Sequence, residues 1–535
     1  MSASGAEERS SSLRGGAFRA MNISKQQQRN LPRSILATFQ QLFIPGKDPS
    51  YIGWALGAIT LIGAVIRLWR ISQPIAYDEA YTFVYYATGE FKHILADYSA
   101  PNNHIFHTIL VRLFYEIFGK QPWVVRGPAL LAGILCIPAA YFFARRIFNA
   151  RQGLAGAALV ALTPWFINYS VNGRGYTLVI LFSLLLANLG ALLTRQQSRV
   201  ALGAYALIAA LGFYTIPIFL YPMAGVSLWV LVTHLTASEP WKERSIRARD
   251  FLFACLLGGL LTLLLYLPVI LFGTGFHSIT SNEIVESRAW SVFVENLQPR
   301  ITKTWDSWLA GYSQPVKNLL SFGFLLSLFF YRKASNQRLP LQLFLILAIA
   351  AVLFIQRVAP LARVWMYLDA FYLIFAGGGL VWLAELVLNR FISSTNTGRI
   401  VTTAILLILM LALTNIYRET QQGSLVPNSG DLPEQYAAQY LASHLETQDK
   451  ILSISPVDIQ TAYYLYLYGI PYEVFYQRDH PVPVKNAIVV LRTNSKYNTP
   501  EEVLKFYKLA ENFDLAAAQL VYEYGPVQVF SISAK

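Results

Sequence analysis

The sequence predicts a polytopic α-helical membrane protein of about eleven transmembrane helices, with external juxtamembrane helices and a small α/β domain at its C-terminal end. Three observations predict it. Of 535 residues, 55% are hydrophobic and only 14% charged, and the apolar residues gather in runs close to the length that crosses a bilayer. Basic residues fall in alternate loops between those runs. After residue 418 the apolar runs stop and short strand-like and helix-like segments alternate.

Residues 1–50 are polar and rich in Ser, Gln and Arg, without the apolar core of a secretory signal, and read as a mostly disordered cytoplasmic tail. Spans are expected at 52–69, 125–144, 153–170, 175–194, 200–215, 218–235, 251–272, 316–331, 340–356, 364–387 and 400–417. Arg145, Arg146 and Arg151, then Arg195 and Arg199, then Lys242 to Arg249, then Arg332 to Arg338, then Arg390 and Arg399 mark the cytoplasmic loops. That assignment leaves the N-terminus inside and the C-terminus outside, provided the stretch 104–118 does not cross. It is short and carries Arg112 and Glu116 one helical turn apart, as an interfacial helix does.

Residues 51–417 thus form the expected membrane domain. Its first external loop, 71–124, has helical spacing of Ala80, Phe83, Val84, Ala87, Phe91, Ile94 and Leu95, which predicts two juxtamembrane helices, with Gly89 falling inside the first as a candidate break. A second large external loop covers 273–315, where Trp290, Trp305 and Trp308 belong at an interface. In 418–535, helices are expected at 433–445 and 500–510, strands at Lys450–Ile454 and Ala487–Leu491, and a closing pair at 519–532. No phosphate-binding glycine pattern follows its strands.

The charge of +13 fits cytoplasmic retention of Lys and Arg and excludes a nucleic-acid partner as its explanation. Cys136 and Cys255 both lie in apolar segments and predict no disulfide framework. No internal repeat of the secondary-transporter kind is present.

The ionisable residues gather at the outer ends of the spans. They are Asp78 and Glu79 after the first span, Asn102, Asn103, His104 and His107 at the start of the interfacial helix, Arg126 opening the next span, Arg174 and Tyr176 in the following outer loop, and Arg357, Arg363 and Tyr367 before the penultimate span. Such a rim suits transfer from an anionic lipid: fixed cations neutralise a leaving phosphate while a carboxylate takes the proton of an attacking hydroxyl. Arginine serves phosphate through its bidentate fork. Each residue also has a structural reading. Asp78 and Glu79 suit the N-terminus of the helix that follows them, and each arginine alone suits an interfacial anchor. His104 and His107 lack a third metal ligand fixed by the sequence, so no metal site is assigned. Asp369 and Glu385 are expected to be satisfied by helix neighbours or loop arginines.

Several strings occur in a fixed order: Arg67-Leu-Trp-Arg70, Tyr77-Asp-Glu-Ala80, Pro101-Asn-Asn-His104, Arg126-Gly-Pro-Ala-Leu-Leu-Ala-Gly133, Ala144-Arg-Arg-Ile-Phe148 and Asn172-Gly-Arg-Gly-Tyr176. Over about residues 60–195 the chain resembles the lipid-linked-sugar-dependent glycosyltransferases of the GT-C fold, especially the protein O-mannosyltransferase and aminoarabinose transferase group. The resemblance implies transfer of a sugar from a polyprenyl-phosphate donor to an acceptor hydroxyl of a protein, lipid or glycan on the external face, with inversion. It implies that Asp78 is the catalytic base, that Glu79 shapes the same site, and that Arg126, Arg174 and Arg363 hold the donor phosphate, with Arg357 competing for the last role. Tyr77, Asn103, His104, Tyr176 and Tyr367 complete the expected substrate-binding set. His104-Ile-Phe stands where the family often has His-Pro-Pro, and no Asp-x-Asp pattern marks a metal-dependent nucleotide-sugar enzyme, so no cofactor is expected. By the same analogy the membrane is a bacterial inner membrane. The alternative reading is a transporter or flippase of lipid-linked intermediates, which needs the arginines and not the base.

Overall fold

The computed structural model describes residues 35–44, 48–280, 286–421, 432–478 and 481–535, with side chains described outside 409–421. Most of the expected N-terminal tail lies outside the described residues, and the part that is described contains a helix at 35–43. Among the described residues six helices are long and apolar enough to cross a membrane: Ser50–Trp69, Pro122–Ile147, Tyr176–Leu193, Pro217–Leu235, Trp241–Phe272 and Ala362–Leu388. Three more, Ala150–Leu162, Arg199–Thr215 and Leu341–Gln356, are apolar but shorter. The expected span 153–170 is divided, because Pro164 cannot continue the hydrogen-bond ladder and a second helix, Pro164–Ser170, begins there. The stretch 104–118 forms a helix of 14 residues, Ile105–Phe118, with Arg112 Nε and Glu116 Oε1 paired at 2.6 Å.

The break at Pro164 frees carbonyls at the end of Ala150–Leu162, and a buried arginine takes them up. Arg67 Nη1 donates to Ala161 O at 2.9 Å and Nη2 to Val160 O at 3.2 Å, while Nε donates to Ser170 Oγ at 3.0 Å. One side chain thereby fixes three helix ends beneath the segment 71–121. Small residues let the helices approach closely elsewhere. A Cβ on Gly133 would lie 2.1 Å from Ser170 Oγ, and one on Gly379 would lie 1.9 Å from Gly323 O. The second approach locks Gln314–Phe329 against Met366–Leu388, the helix that begins just after Arg363.

Between the helices Ser50–Trp69 and Pro122–Ile147, the helix Tyr77–Tyr81 runs into a π-helical turn, Thr82–Ala87, and Phe91–Ala96 follows beyond Gly89. Residues 432–535 carry four strands, β1 (Asp449–Ser453), β2 (Asn486–Arg492), β3 (Gln519–Tyr524) and β4 (Val527–Ser533). Their order is β1-β2-β4-β3, with β1 parallel to β2 and the other pairs antiparallel. Helix Asp458–Leu467, which the sequence reading did not include, lies between the sheet and residues 75–87. Ile451, Ile459, Ala462 and Tyr463 share one buried core with Ile75, Ala80, Phe83 and Val125. The C-terminal unit is therefore packed directly onto the helix that carries Asp78 and Glu79.

Replacing Gly379 with alanine is expected to lower stability by about 1–3 kcal/mol through overpacking. The check is the thermal unfolding temperature of the detergent-solubilised protein, and an unchanged temperature would contradict the close helix contact.

Candidate active site

The two adjacent carboxylates have different environments. Glu79 is fully buried and accepts four hydrogen bonds: from Ala76 N at 2.8 Å, Gly173 N at 2.5 Å, Arg126 Nε at 2.9 Å and Arg126 Nη2 at 2.8 Å. The first is the return bond of a helix cap, so the capping role open to both carboxylates is taken by Glu79. Arg126 is equally buried, and its remaining donors reach Ile71 O and Gln73 O, both at 2.6 Å, and Pro74 O at 2.8 Å. Every N–H of this guanidinium has an acceptor in the protein. The expectation that Arg126 holds a donor phosphate is therefore corrected: it fixes Glu79 and the loop 71–74. Glu79 likewise has both oxygens taken by hydrogen bonds within the protein.

Asp78 is on the other side of the same turn, with its side chain 34% exposed, and Arg363 Nη1 approaches its Oδ2 at 3.4 Å. Thr82, one turn on, donates from Oγ1 to Asp78 O at 3.0 Å and stands 3.5 Å from Arg174 Nη1. Arg174 comes from the segment Gly173-Arg-Gly175, whose flanking amides fasten the surroundings: Gly173 N–H binds Glu79, and Gly175 N–H donates to His104 Nδ1 at 2.9 Å. Both glycines are required by space, since a Cβ would lie 2.8 Å from Val125 Cγ1 at Gly173 and 2.7 Å from Thr215 Cγ2 at Gly175.

The Gly175 bond also sets the tautomer of His104. Burial, and then the charge of Arg174, hold this imidazole well below its usual range, so it is neutral at pH 7. With Nδ1 accepting, the ring proton is on Nε2. That N–H faces Arg174 Nη2 at 3.3 Å, donor toward donor. Two donors converging without an acceptor between them form a site that an anionic oxygen satisfies. They line a cavity of about 80 Å³, together with Asn102, Tyr176, Leu361 and Arg363. The volume suits a phosphate-sized group.

Other expected residues fall elsewhere. Arg357 caps Leu341–Gln356 in the left-handed region, with its guanidinium 5.8 Å from the centre of the Trp290 ring, and does not line this cavity. Asn103 binds Ile94 O and Asp97 O at 2.9 and 2.7 Å and so shapes the turn beneath His104. Tyr367 is buried away from the cavity. Tyr77 faces the C-terminal unit, where it hydrogen-bonds Asp458, and burial raises its hydroxyl. His107 is fully buried beside His104, and burial followed by Arg174 lowers it to about 3. Glu385 pairs with Arg151 and Asn149 as expected, whereas both oxygens of buried Asp369 lack a hydrogen-bond partner, contrary to expectation. The described residues contain no cluster of three or more His, Cys, Asp or Glu suited to a metal ion.

Tyr98 and Tyr169 were missed by the sequence reading. Tyr98 lines the cavity, and Tyr169 stacks edge-on against Tyr176 at 5.4 Å. Neither stands in a motif that separates it from ordinary interfacial tyrosines.

Residues 102–272 match the family described as dolichyl-phosphate-mannose-protein mannosyltransferase. The fold is the GT-C glycosyltransferase fold. The chain is similar in structure to ArnT from Cupriavidus metallidurans in the apo state, with 13% identity, a TM-score of 0.55, and coverage of 90% of this chain and 98% of that one. Against the same ArnT bound to undecaprenyl phosphate the TM-score is 0.52, at 13% identity and the same 90% and 98% coverage. Against the archaeal oligosaccharyltransferase AglB from Archaeoglobus fulgidus, in complex with an inhibitory peptide and a dolichol-phosphate, it is 0.50, at 12% identity, covering 90% of this chain and 74% of that one. No curated protein sequence matches.

If Arg126 is structural, Arg126→Gln leaves a buried carboxylate unpaired and costs about 3–5 kcal/mol of stability. Thermal unfolding and undecaprenyl-phosphate binding by the folded fraction are the checks. Full stability with lost lipid-phosphate binding would restore Arg126 to the phosphate site.

Proposed function

We propose that this protein is an integral membrane glycosyltransferase that moves a sugar from a polyprenyl-phosphate donor to an acceptor hydroxyl on the external face. The observation that carries this reading is the convergence of Arg174, Arg363 and the His104 Nε2–H on one small cavity beside the accessible carboxylate of Asp78. The acceptor oxygen attacks the anomeric carbon, its proton passes to Asp78, and the bond from that carbon to the phosphate oxygen breaks with the electron pair leaving on the phosphate. Inversion follows from the single displacement. The charge gained by the leaving phosphate is met by Arg174 and Arg363, and the neutral imidazole adds a hydrogen bond without competing for the acceptor proton.

A place for the lipid chain adjoins that cavity. Leu361, Arg363 and Val364 line the phosphate-sized cavity, while Ala359, Pro360, Trp365 and Leu368 line an apolar groove of about 580 Å³ against the helix Trp290–Trp308. A charged head beside an apolar trough is what a prenyl phosphate requires. In this reading the chain crosses about eleven times, shorter helices included, with the N-terminus cytoplasmic and residues 418–535 external, in a bacterial inner membrane. The similarity to ArnT and AglB, solved with undecaprenyl phosphate and dolichol-phosphate, supports the donor class. No metal takes part in the proposed displacement.

The test is transfer from a panel of radiolabelled polyprenyl-phosphate sugars to membrane and periplasmic acceptors, comparing wild type with Arg174→Gln and Arg363→Gln, with and without chelator. Loss of a charge-assisted hydrogen bond predicts roughly a tenfold to hundredfold fall in kcat/KM for each variant. Activity is expected to survive chelation. A protein that binds lipid-linked sugars through these arginines yet turns none over would instead be a transporter or flippase.

A further inference from the structure

We propose that a second anion site, at the opposite end of the helix bundle, binds the headgroup of an anionic phospholipid. Arg146 is on the same helix as Arg126, about 30 Å farther along its axis at the usual rise per residue. There a hollow of about 340 Å³ is lined by Arg145, Arg146, Arg195, Asp48, Asn149 and Asn336. Asp48 is the one carboxylate lining it, and it is engaged by Arg145 and by Tyr141. The other two guanidiniums are held by neutral acceptors: Arg146 Nε by Asn188 Oδ1 at 2.6 Å, Arg146 Nη2 by Gln41 O at 2.6 Å, and Arg195 Nη2 by Asn336 O. Their positions are fixed while their charge is not neutralised by any carboxylate among the described residues. A phosphate ester is the complementary ligand.

A second observation identifies the source of that phosphate. The helix 35–43 covers this end of the bundle, with Gln41 lining the hollow and Leu42 and Thr38 buried toward the protein. Ile35, Leu36 and Phe39 are 51%, 57% and 54% exposed. An amphipathic helix that closes the end of a set of spans and still presents large apolar side chains outward lies in the interfacial plane, among acyl chains. The hollow beneath it then meets lipid headgroups before it meets soluble phosphates. The site is independent of the proposed transfer chemistry.

The experiment uses the full-length protein in nanodiscs of phosphatidylcholine doped with phosphatidylglycerol, with retained lipids read by native mass spectrometry. Wild type is expected to enrich phosphatidylglycerol over phosphatidylcholine. Arg195→Gln, at an exposed residue, is expected to reduce that enrichment about fivefold, and Arg146→Gln by a similar factor. Arg338→Gln, an exposed arginine outside the hollow, is expected to leave it unchanged, and inorganic phosphate is expected not to displace the lipid. Equal enrichment in Arg195→Gln and wild type overturns the proposal, as does displacement by inorganic phosphate, which would make the pocket a site for a soluble anion. Because the Arg195 side chain makes one hydrogen bond among the described residues, to Asn336 O, the test stands even if Arg146→Gln fails to fold.

Discussion

The buried pair of Glu79 and Arg126 is the constraint on which this end of the helix bundle depends. It joins the acidic helix to the start of the Pro122–Ile147 span, ties in the carbonyls of residues 71, 73 and 74, and accepts the Gly173 amide. A buried ion pair stabilises only when its remaining lone pairs and protons are satisfied, and here they are. The consequence for chemistry is a division between neighbours. Glu79 is fixed from all sides, and Asp78 is left half-exposed beside Arg363, which lines the cavity.

The segment Gly173-Arg-Gly175 repeats that logic on a smaller scale. Its two amides hold a carboxylate and an imidazole, and the arginine between them reaches the space both residues define. The neutral, Nε2-protonated state of His104 is therefore a product of backbone geometry as much as of burial. Arg363 arrives from a different direction, at the head of a helix locked by the Gly323–Gly379 approach, and the Tyr77–Asp458 contact ties the C-terminal unit to the short helix that carries Asp78 and Glu79. Residues from the stretches 98–104, 174–176, 216–218 and 361–364, with Ile279, thus meet around one cavity.

Much of this was legible in the sequence. The long apolar spans, the break at Gly89, the Arg112–Glu116 pair and the positions of β1 to β4 follow from periodicity, charge spacing and strand composition. The acidic pair, Arg174, Arg363 and His104 were visible as polar residues where polarity is costly. What the sequence did not reveal is which arginine has all its donors taken by the protein. Arg126 and Arg174 have the same side chain and the same kind of setting, and only the Glu79 carboxylate and the loop carbonyls gathered around the first tell them apart. Helix Asp458–Leu467 was missed because Tyr463, Tyr464 and Tyr466 give it the composition of a strand. Asp369 reads as an ordinary helix carboxylate, and its lack of a partner emerges only from packing.

The central claim is that the two adjacent carboxylates do different work. Measuring kcat for sugar transfer and the thermal unfolding temperature on Asp78→Asn and Glu79→Gln side by side tests it most directly. The account predicts that Asp78→Asn keeps the wild-type unfolding temperature while kcat falls by about 10²–10⁴, the range of general-base catalysis. It predicts that Glu79→Gln lowers the unfolding temperature, because Arg126 loses its counter-charge. An Asp78→Asn protein that transfers sugar at the wild-type rate, or a Glu79→Gln protein that is inactive yet fully stable, would contradict it.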